Sequence, residues 1–223
     1  MKLDKSKPYA EIRGSTNGER YEQYGIVFNQ DGEQINKDIS TSVVENAIPK
    51  QKEIIGSLVQ EKIINKFLSV AEKTPKGCFV EVGVYKGGAA IKISELAEKQ
   101  KRKVFLYDTF TGIPYKDAID QHKIGDFSDT SYEEVKEAIP YAKVIQGIFP
   151  QSAVDMGKVA FVHVDCDQYR AIKETVQYLS PLMVKGGVMW FDDYGCLAGA
   201  TQAVEELFGN KIEIVENKAM VRF

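Results

Sequence analysis

Between Val159 and Gly195 the chain twice runs through apolar, β-branched residues and then stops on carboxylates. VAFVHV leads into Asp165-Cys166-Asp167, and GGVMWF leads into Asp192-Asp193. Apolar runs of this length, bounded by glycine or charge, read as buried parallel strands. Gln168 to Leu182 between them has the length and spacing of a crossover helix, so the unit is βαβ. Such a unit sets both strands side by side with their C-terminal ends at one edge of the sheet. Open α/β folds keep their ligands at that edge. The carboxylates of Asp165, Asp167, Asp192 and Asp193 therefore meet at one rim. Like charges so placed repel unless a proton or a cation sits between them, and a divalent metal with oxygen ligands is the simplest cation. Asp165 and Asp167 are two apart and share a face if the strand continues through them. Asp192 and Asp193 are adjacent, so the chain must turn there for both to point inward, and Gly195 suits such a turn.

The rest of the chain supplies the sheet around this unit. Lys50 to Lys73 carries Ile54, Ile55, Leu58, Val59, Ile63, Ile64, Phe67, Leu68 and Ala71 at helical spacing, a stripe that reads as core. An alternation follows: strand Cys78–Val82, helix Gly88–Lys99, strand Val104–Tyr107 ending in Asp108. Next come helix Ser131–Ala138 with a capping-box start, strand Lys143–Gln146 and a short helix Pro150–Met156. Beyond the carboxylate strands lie a helix from Ala198 to Phe208 and strands Lys211–Val215 and Ala219–Phe223, joined at hairpin length. The expected fold is α/β: a Rossmann-like, seven-stranded, mostly parallel sheet with an antiparallel last strand and helices on both faces. Thr109 to Thr130 is long for a connection in a compact domain and reads as a lid or binding loop. Residues 1–49 form an N-terminal extension, in which GIVFNQDGEQI suggests two short strands around Asp31-Gly32.

Composition narrows the class. The chain has 223 residues, enough for one α/β domain with an extension, and a net charge of −3 without basic clusters, which argues against nucleic acid as a partner. No apolar run approaches the ~18 residues that cross a bilayer. The first residues lack the apolar stretch of a signal peptide. The three cysteines, Cys78, Cys166 and Cys196, lack metal spacing, and two sit in or beside strands, which fits a reduced, cytoplasmic protein.

The first strand runs into Glu81-Val-Gly83-Val-Tyr85-Lys-Gly87-Gly88. This GxxxGG spacing fails the dinucleotide fingerprint GxGxxG, and the Lys-Ser or Lys-Thr of a phosphate loop is absent. An acid two residues before the first glycine is placed to meet a cation such as an ammonium. Asp108, at the end of the next strand, is placed to accept hydrogen bonds from ribose hydroxyls.

Together, FVEVGVYKGG, LYDTFTGIP, GDFSDTSYEEV, VIQGIFPQS, HVDCDQY and GGVMWFDDYG resemble, in order and spacing, the macrocin O-methyltransferase family (TylF/MycF-type) of class I S-adenosylmethionine-dependent methyltransferases. The resemblance covers about Cys78 to Phe208. It implies methyl transfer from S-adenosylmethionine to a sugar hydroxyl with Mg²⁺. By motif, Asp165, Asp192 and Asp193 would be the metal ligands and Asp167 the general base. Glu81, Gly83, Tyr85, Asp108, Ser128, Asp129, Gly147 and Asp165 would line the cofactor site. The extension would help shape the acceptor pocket and a homo-oligomer. His163 reads as a packed strand residue, and His122 as a candidate substrate contact. A catechol-like phenol methyltransferase would use a similar acid set, and an aromatic-lined acceptor pocket would favour it. A non-catalytic nucleoside-binding protein of the same fold is the other alternative, and the complete acid set argues against it.

Overall fold

The computed structural model describes residues 58–223 and, as backbone, three short strands of the extension. The chain divides into two compact units, Met1–Ile54 and Ile55–Phe223. In the first, Arg13–Gly14 (β1), Arg20–Gln23 (β2) and Ile26–Asn29 (β3) form an antiparallel sheet in the order β1-β2-β3. Gln23 pairs with Ile26, so only Tyr24 and Gly25 separate β2 from β3. The first apolar run of GIVFNQDGEQI is therefore a strand, but its partner precedes it, and the run after Asp31-Gly32 lies outside the described residues.

The second unit contains Glu61–Ala71 (α1), Cys78–Val82 (β4), Gly88–Lys99 (α2), Val104–Asp108 (β5), Tyr132–Ala138 (α3), Lys143–Gln146 (β6) and Val159–Val164 (β7). Tyr169–Leu179 (α4), Met183–Phe191 (β8), Ala198–Phe208 (α5), Glu213–Val215 (β9) and Lys218–Arg222 (β10) complete it. The sheet order is β6-β5-β4-β7-β8-β10-β9. β4 to β8 run parallel, and β10 is antiparallel to both β8 and β9. The seven-stranded, three-layer α/β fold expected from the sequence is thus the one observed.

Strand alternation divides the core into two layers. Phe79, Leu106, Phe161, Val188 and Trp190 face α1, α2 and α3 through Phe67, Ala90, Ile93 and Val135. Val80, Tyr107, Val162, Met189 and Phe191 face α4 and α5 through Ile172, Val176, Ala203 and Val204. β4 and β7 are buried throughout, as near-continuous apolar runs require.

Four boundaries differ from expectation. Of the helix expected over Lys50–Lys73, Glu61–Ala71 forms α1, residues 58–60 and 72–73 are not helical, and residues 50–57 lie outside the description. Pro150–Met156 is not a helix. Ser152 N–H donates to Ile148 and Ala153 N–H to Pro150, but Val154 N–H is then diverted to the Tyr107 hydroxyl at 3.4 Å, which ends the turn. The strand expected from Lys211 begins only at Glu213, because Gly209–Lys211 forms a 3₁₀ turn. Glu216 and Asn217 both have positive φ (52° and 61°), the two-residue hairpin geometry. Lys218 consequently belongs to β10 rather than to the loop.

Candidate active site

Register builds the rim. Val82 pairs with Val164, and Val164 with Phe191, so the residues that follow, Gly83, Asp165 and Asp192, stand in one row across the sheet. β5 and β6 end together at Asp108 and Gln146, which puts Gly147 at the same edge. Strand order reverses between β4 and β7, and open α/β sheets bind ligands at such a point.

Gly83 is required there. Its φ is +91°, and a Cβ would lie 1.9 Å from the Asp165 carbonyl oxygen. Asp165 N–H in turn donates to Val82 O at 2.9 Å. The glycine lets two chains leave the sheet in contact. Asp108 fixes the turn beyond it: its Oδ2 accepts Val84 N–H (2.7 Å) and Tyr85 N–H (2.8 Å), and its Oδ1 accepts Phe110 N–H (2.7 Å). The carboxylate expected to meet a ribose is thus committed first to backbone donors. Gly147 (φ +142°) packs against Ser152, and its N–H donates to Asp108 O.

Glu81 and His163 are register partners on β4 and β7. Both are sealed from solvent, with exposures of 1% and 0%. Their hydrogen bond is 2.8 Å, from Nδ1 to Oε1. The cation that Glu81 meets is therefore an internal imidazole. His163 Nε2 lies 3.9 Å from Asp192 Oδ1, an ion-pair separation too long for a hydrogen bond. Phe67 covers the imidazole at a ring separation of 4.6 Å. Burial alone would lower the His163 pKa, but Asp192 and Glu81 outweigh it and hold it well above the usual imidazole range. Burial pushes Glu81 up, against the pull of His163. For Asp192 burial is again opposed, and His163 and Lys218 keep it below the usual carboxylate range. Lys218 Nζ donates to Asp192 Oδ2 at 3.0 Å.

Asp165 and Asp193 form no such ion pair, and Asp167 has only His122, 3.6 Å away. Burial, then Asp192 and Asp193, push Asp165 well above the ordinary range. Burial, then Asp193 and Asp165, do the same to Asp167. Asp193 rises to about 6 through burial and Asp192. β7 stops at Val164, and Asp167 has φ +61°, so strand alternation does not place Asp167 beside Asp165 as expected. A left-handed turn does so instead, and Asp167 N–H donates to Asp193 Oδ2 at 3.0 Å. The expected turn at Asp193 is present: Cys196 and Leu197 N–H both donate to its carbonyl.

The loop from Thr109 to Thr130 contains no helix or strand but is stitched in place. Neither α4 nor α5 caps its own N-terminus with a side chain. The loop supplies both caps. Asp120 Oδ1 accepts Tyr169 N–H (2.9 Å), and Gln121 Oε1 accepts Ala198 N–H (2.7 Å). A carboxylate at a helix N-terminus is the favourable charge there. At the far end of the loop, Asp129 is clasped by the Tyr85 hydroxyl (2.8 Å) and Lys86 Nζ (2.6 Å), while Ser128 is exposed. His122 reaches the acid cluster, with Nε2 3.6 Å from Asp167 Oδ1. Phe127 meets both the His122 and Tyr85 rings edge to face.

Among the described residues, no three His, Cys, Asp or Glu side chains are placed to hold one metal ion between them. The donor chemistry still suits an oxygen-seeking cation. Burial and then the Asp192 charge raise both Asp165 and Asp193, and Asp192 Oδ1 is buried without a hydrogen-bond partner. Sequence reasoning missed Lys218 and Asp120 and left His163 as packing. Register parity with Glu81 was the available signal for His163. No comparable local signal marks Asp120.

The model of the family described as macrocin O-methyltransferase (TylF) matches residues 47–221. No curated protein matches the chain. Among solved structures, the O-methyltransferase NovP is 22% identical, with 74% of this chain and 81% of that one covered and a TM-score of 0.67. CalS11, calicheamicin methyltransferase, is 18% identical over 84% and 87% of the two chains, with a TM-score of 0.61. A putative caffeoyl-CoA O-methyltransferase from Staphylococcus aureus is 9% identical over 73% and 82%, with a TM-score of 0.51. At these identities the structures are evidence of fold alone. The family match is broader, spanning the glycine turn, the loop and all four rim aspartates: the chain belongs to the macrocin O-methyltransferase family of S-adenosylmethionine-dependent O-methyltransferases.

Proposed function

We propose that the enzyme methylates a hydroxyl of a sugar or glycosylated metabolite and depends on Mg²⁺. The observation that carries the reading is the set of four aspartates at the strand-order reversal, of which Asp165, Asp167 and Asp193 have no cationic side chain hydrogen-bonded to them. Asp165, Asp192 and Asp193 would hold the metal, which when bound supplies charge that acidifies neighbouring hydroxyls. Asp167 takes the proton from the acceptor hydroxyl. Burial and its acidic neighbours make its carboxylate more basic than an exposed aspartate, and a stronger base is better matched to an alcohol. The turn held by Asp108, with Gly83, Tyr85 and Gly147, lines the methyl-donor side, and Glu81 acts from beneath through His163. The loop carrying His122 and Phe127 walls the acceptor side and excludes water, with Ser128 and Asp129 at its closing end. A cytoplasmic homo-oligomer belongs to the same reading. No helix among the described residues is long and apolar enough to cross a membrane.

One observation favours a second reading. The aromatic contacts of Tyr85, Phe127 and His122 beside Asp167 would also suit a catechol-like phenol, although such faces stack on sugar rings as well. The test is release of S-adenosylhomocysteine against nucleoside-diphosphate sugars, glycosides and catechols, in metal-stripped and Mg²⁺-supplemented buffer. Mg²⁺-dependent release with a sugar acceptor is expected. Release with catechols alone would establish the phenol reading, and undiminished release after chelation would remove the metal.

A further inference from the structure

We propose that His122 is the positioning residue for Asp167, holding that carboxylate in the orientation from which it meets the acceptor hydroxyl. The inference rests on the reading of Asp167 as the base and deepens it, and it involves no metal.

The two residues before His122 seat it over the rim. Both are tied to the helices that follow the carboxylate strands. Asp120 is 6% exposed, and its Oδ1 accepts Tyr169 N–H at the start of α4 while its Oδ2 accepts Asp117 N–H at 2.8 Å. The seat also needs α5 to come close, since a Cβ on Gly199 would stand 2.2 Å from Asp120 Oδ1. Gln121 Oε1 accepts Ala198 N–H of the same helix. The loop is fixed a second time beyond the histidine. Ile113, buried, donates its N–H to the Asp126 carbonyl and accepts Gly125 N–H, both at 2.9 Å.

The imidazole is held between these two anchors. Asp126 Oδ2 lies 3.6 Å from Nδ1, and Phe127 meets the ring edge to face at 4.9 Å. Nε2 is left to face Asp167 Oδ1, also at 3.6 Å. Among the described residues no other basic side chain forms an ion pair with Asp167. The backbone of Asp167 is fixed by its left-handed turn and by its N–H to Asp193, but those contacts do not aim the carboxylate. Asp193 and Asp165 repel it from the sheet side. His122 Nε2, when it carries a proton, draws it toward the loop. The separation is that of an ion pair rather than a hydrogen bond, and such contacts in unliganded sites tighten in the substrate complex. Aim matters because a misplacement of about 1 Å costs on the order of 10²-fold in rate.

Two measurements on the full-length protein test this. The chain has only 2 histidines, so imidazole-¹⁵N-labelled protein gives signals from two side chains, and His122→Gln assigns them. Asp167→Asn should move the His122 signals, and unmoved signals overturn the proposal whatever the acceptor is. This arm does not depend on a His122 variant that turns over. The second measurement is release of S-adenosylhomocysteine with the acceptor class that the panel above identifies. His122→Leu should lower kcat roughly 10–10²-fold, with KM and S-adenosylhomocysteine affinity within about twofold of the wild type. His122→Gln, whose amide nitrogen stands where Nε2 does, should recover most of the loss. Placed in an Asp167→Asn background, His122→Leu should cost nothing more, because a residue acting through Asp167 has nothing left to position. An equal further loss in that background, no recovery with Gln, or a raised KM at unchanged kcat (the mark of a substrate contact) each overturns the proposal and leaves the base reading standing. Wild-type turnover by Asp167→Asn alone overturns the base reading and the proposal with it.

Discussion

Replacing Asp108 separates two roles that the sequence alone could not distinguish. As a ribose ligand only, it would matter to the methyl donor and not to the fold. In the structure its two oxygens accept Val84, Tyr85 and Phe110 N–H at 2.7–2.8 Å, tying the turn after β4 to the start of the Thr109–Thr130 loop. A hydrogen bond to a charged acceptor contributes about 1.5–3 kcal/mol net. Three would approach ~5 kcal/mol at the lower figure, but the site is half-buried and water replaces part of what Ala removes, so about 3 kcal/mol is expected. For a domain of this size each kcal/mol moves the melting temperature by about 2–4 °C, so Asp108→Ala should melt roughly 6–12 °C below the wild type. Asp108→Asn keeps one acceptor oxygen and should lose less than half of that. Thermal unfolding followed by circular dichroism, beside calorimetric titration with S-adenosylhomocysteine, gives both quantities. An Ala variant that melts within 2 °C of the wild type yet has lost donor affinity would refute the turn-holding argument and restore the ribose role.

Other expectations follow from single contacts. Gly83→Ala forces a methyl into the Asp165 carbonyl at 1.9 Å with φ +91°, so it should destabilise by ~3 kcal/mol or more and abolish donor binding; a variant that binds S-adenosylhomocysteine normally would contradict this. Asp167→Asn should leave donor affinity intact while turnover falls ~10²–10⁴-fold, and wild-type turnover would remove its role as base. Burial pushes the Cys78 thiol up from 9.0 to about 11. The folded state therefore keeps a proton that the unfolded chain loses, and this stability, fully present below pH 9, should fall by roughly 2–3 kcal/mol as pH rises toward 11. Denaturant midpoints across that range should show the loss in the wild type and not in Cys78→Ala. Asp120→Ala removes the cap of α4, and trypsin should then cut faster after Lys116 and Lys123; unchanged cleavage would show the loop is held by other contacts.

The sheet was legible because its strands are apolar for reasons that do not depend on context. β4, β7 and the second half of β8 are buried on both faces, and only apolar runs satisfy that. The acids at the strand ends were legible for the converse reason, since a carboxylate ending such a run has nowhere to go but the rim. What escaped was the pairing among them. Strand alternation holds only to Val164, and the backbone is in a left-handed turn by Asp167. Lys218 escaped because its place depends on a hairpin register set by positive φ at Glu216 and Asn217, two residues that do not announce it. Asp120 escaped because it caps a helix far along the chain, and no local pattern records a partner 49 residues away.

The division between what could and could not be read matches a division of labour in the site. On the sheet side Gly83, Asp165 and Asp192 are placed by strand register, so their geometry follows from the fold. The side that the proposed function gives to the acceptor is the Thr109–Thr130 loop, whose contacts include two borrowed caps and one clasp, Asp120, Gln121 and Asp129. Those contacts fix where the loop attaches but leave its exposed residues, Ile124 among them, unconstrained by packing. In the proposed function, substitutions there would change the acceptor wall without disturbing a strand. On that reading acceptor choice would vary with the loop while the acids and the donor turn stay fixed by the sheet.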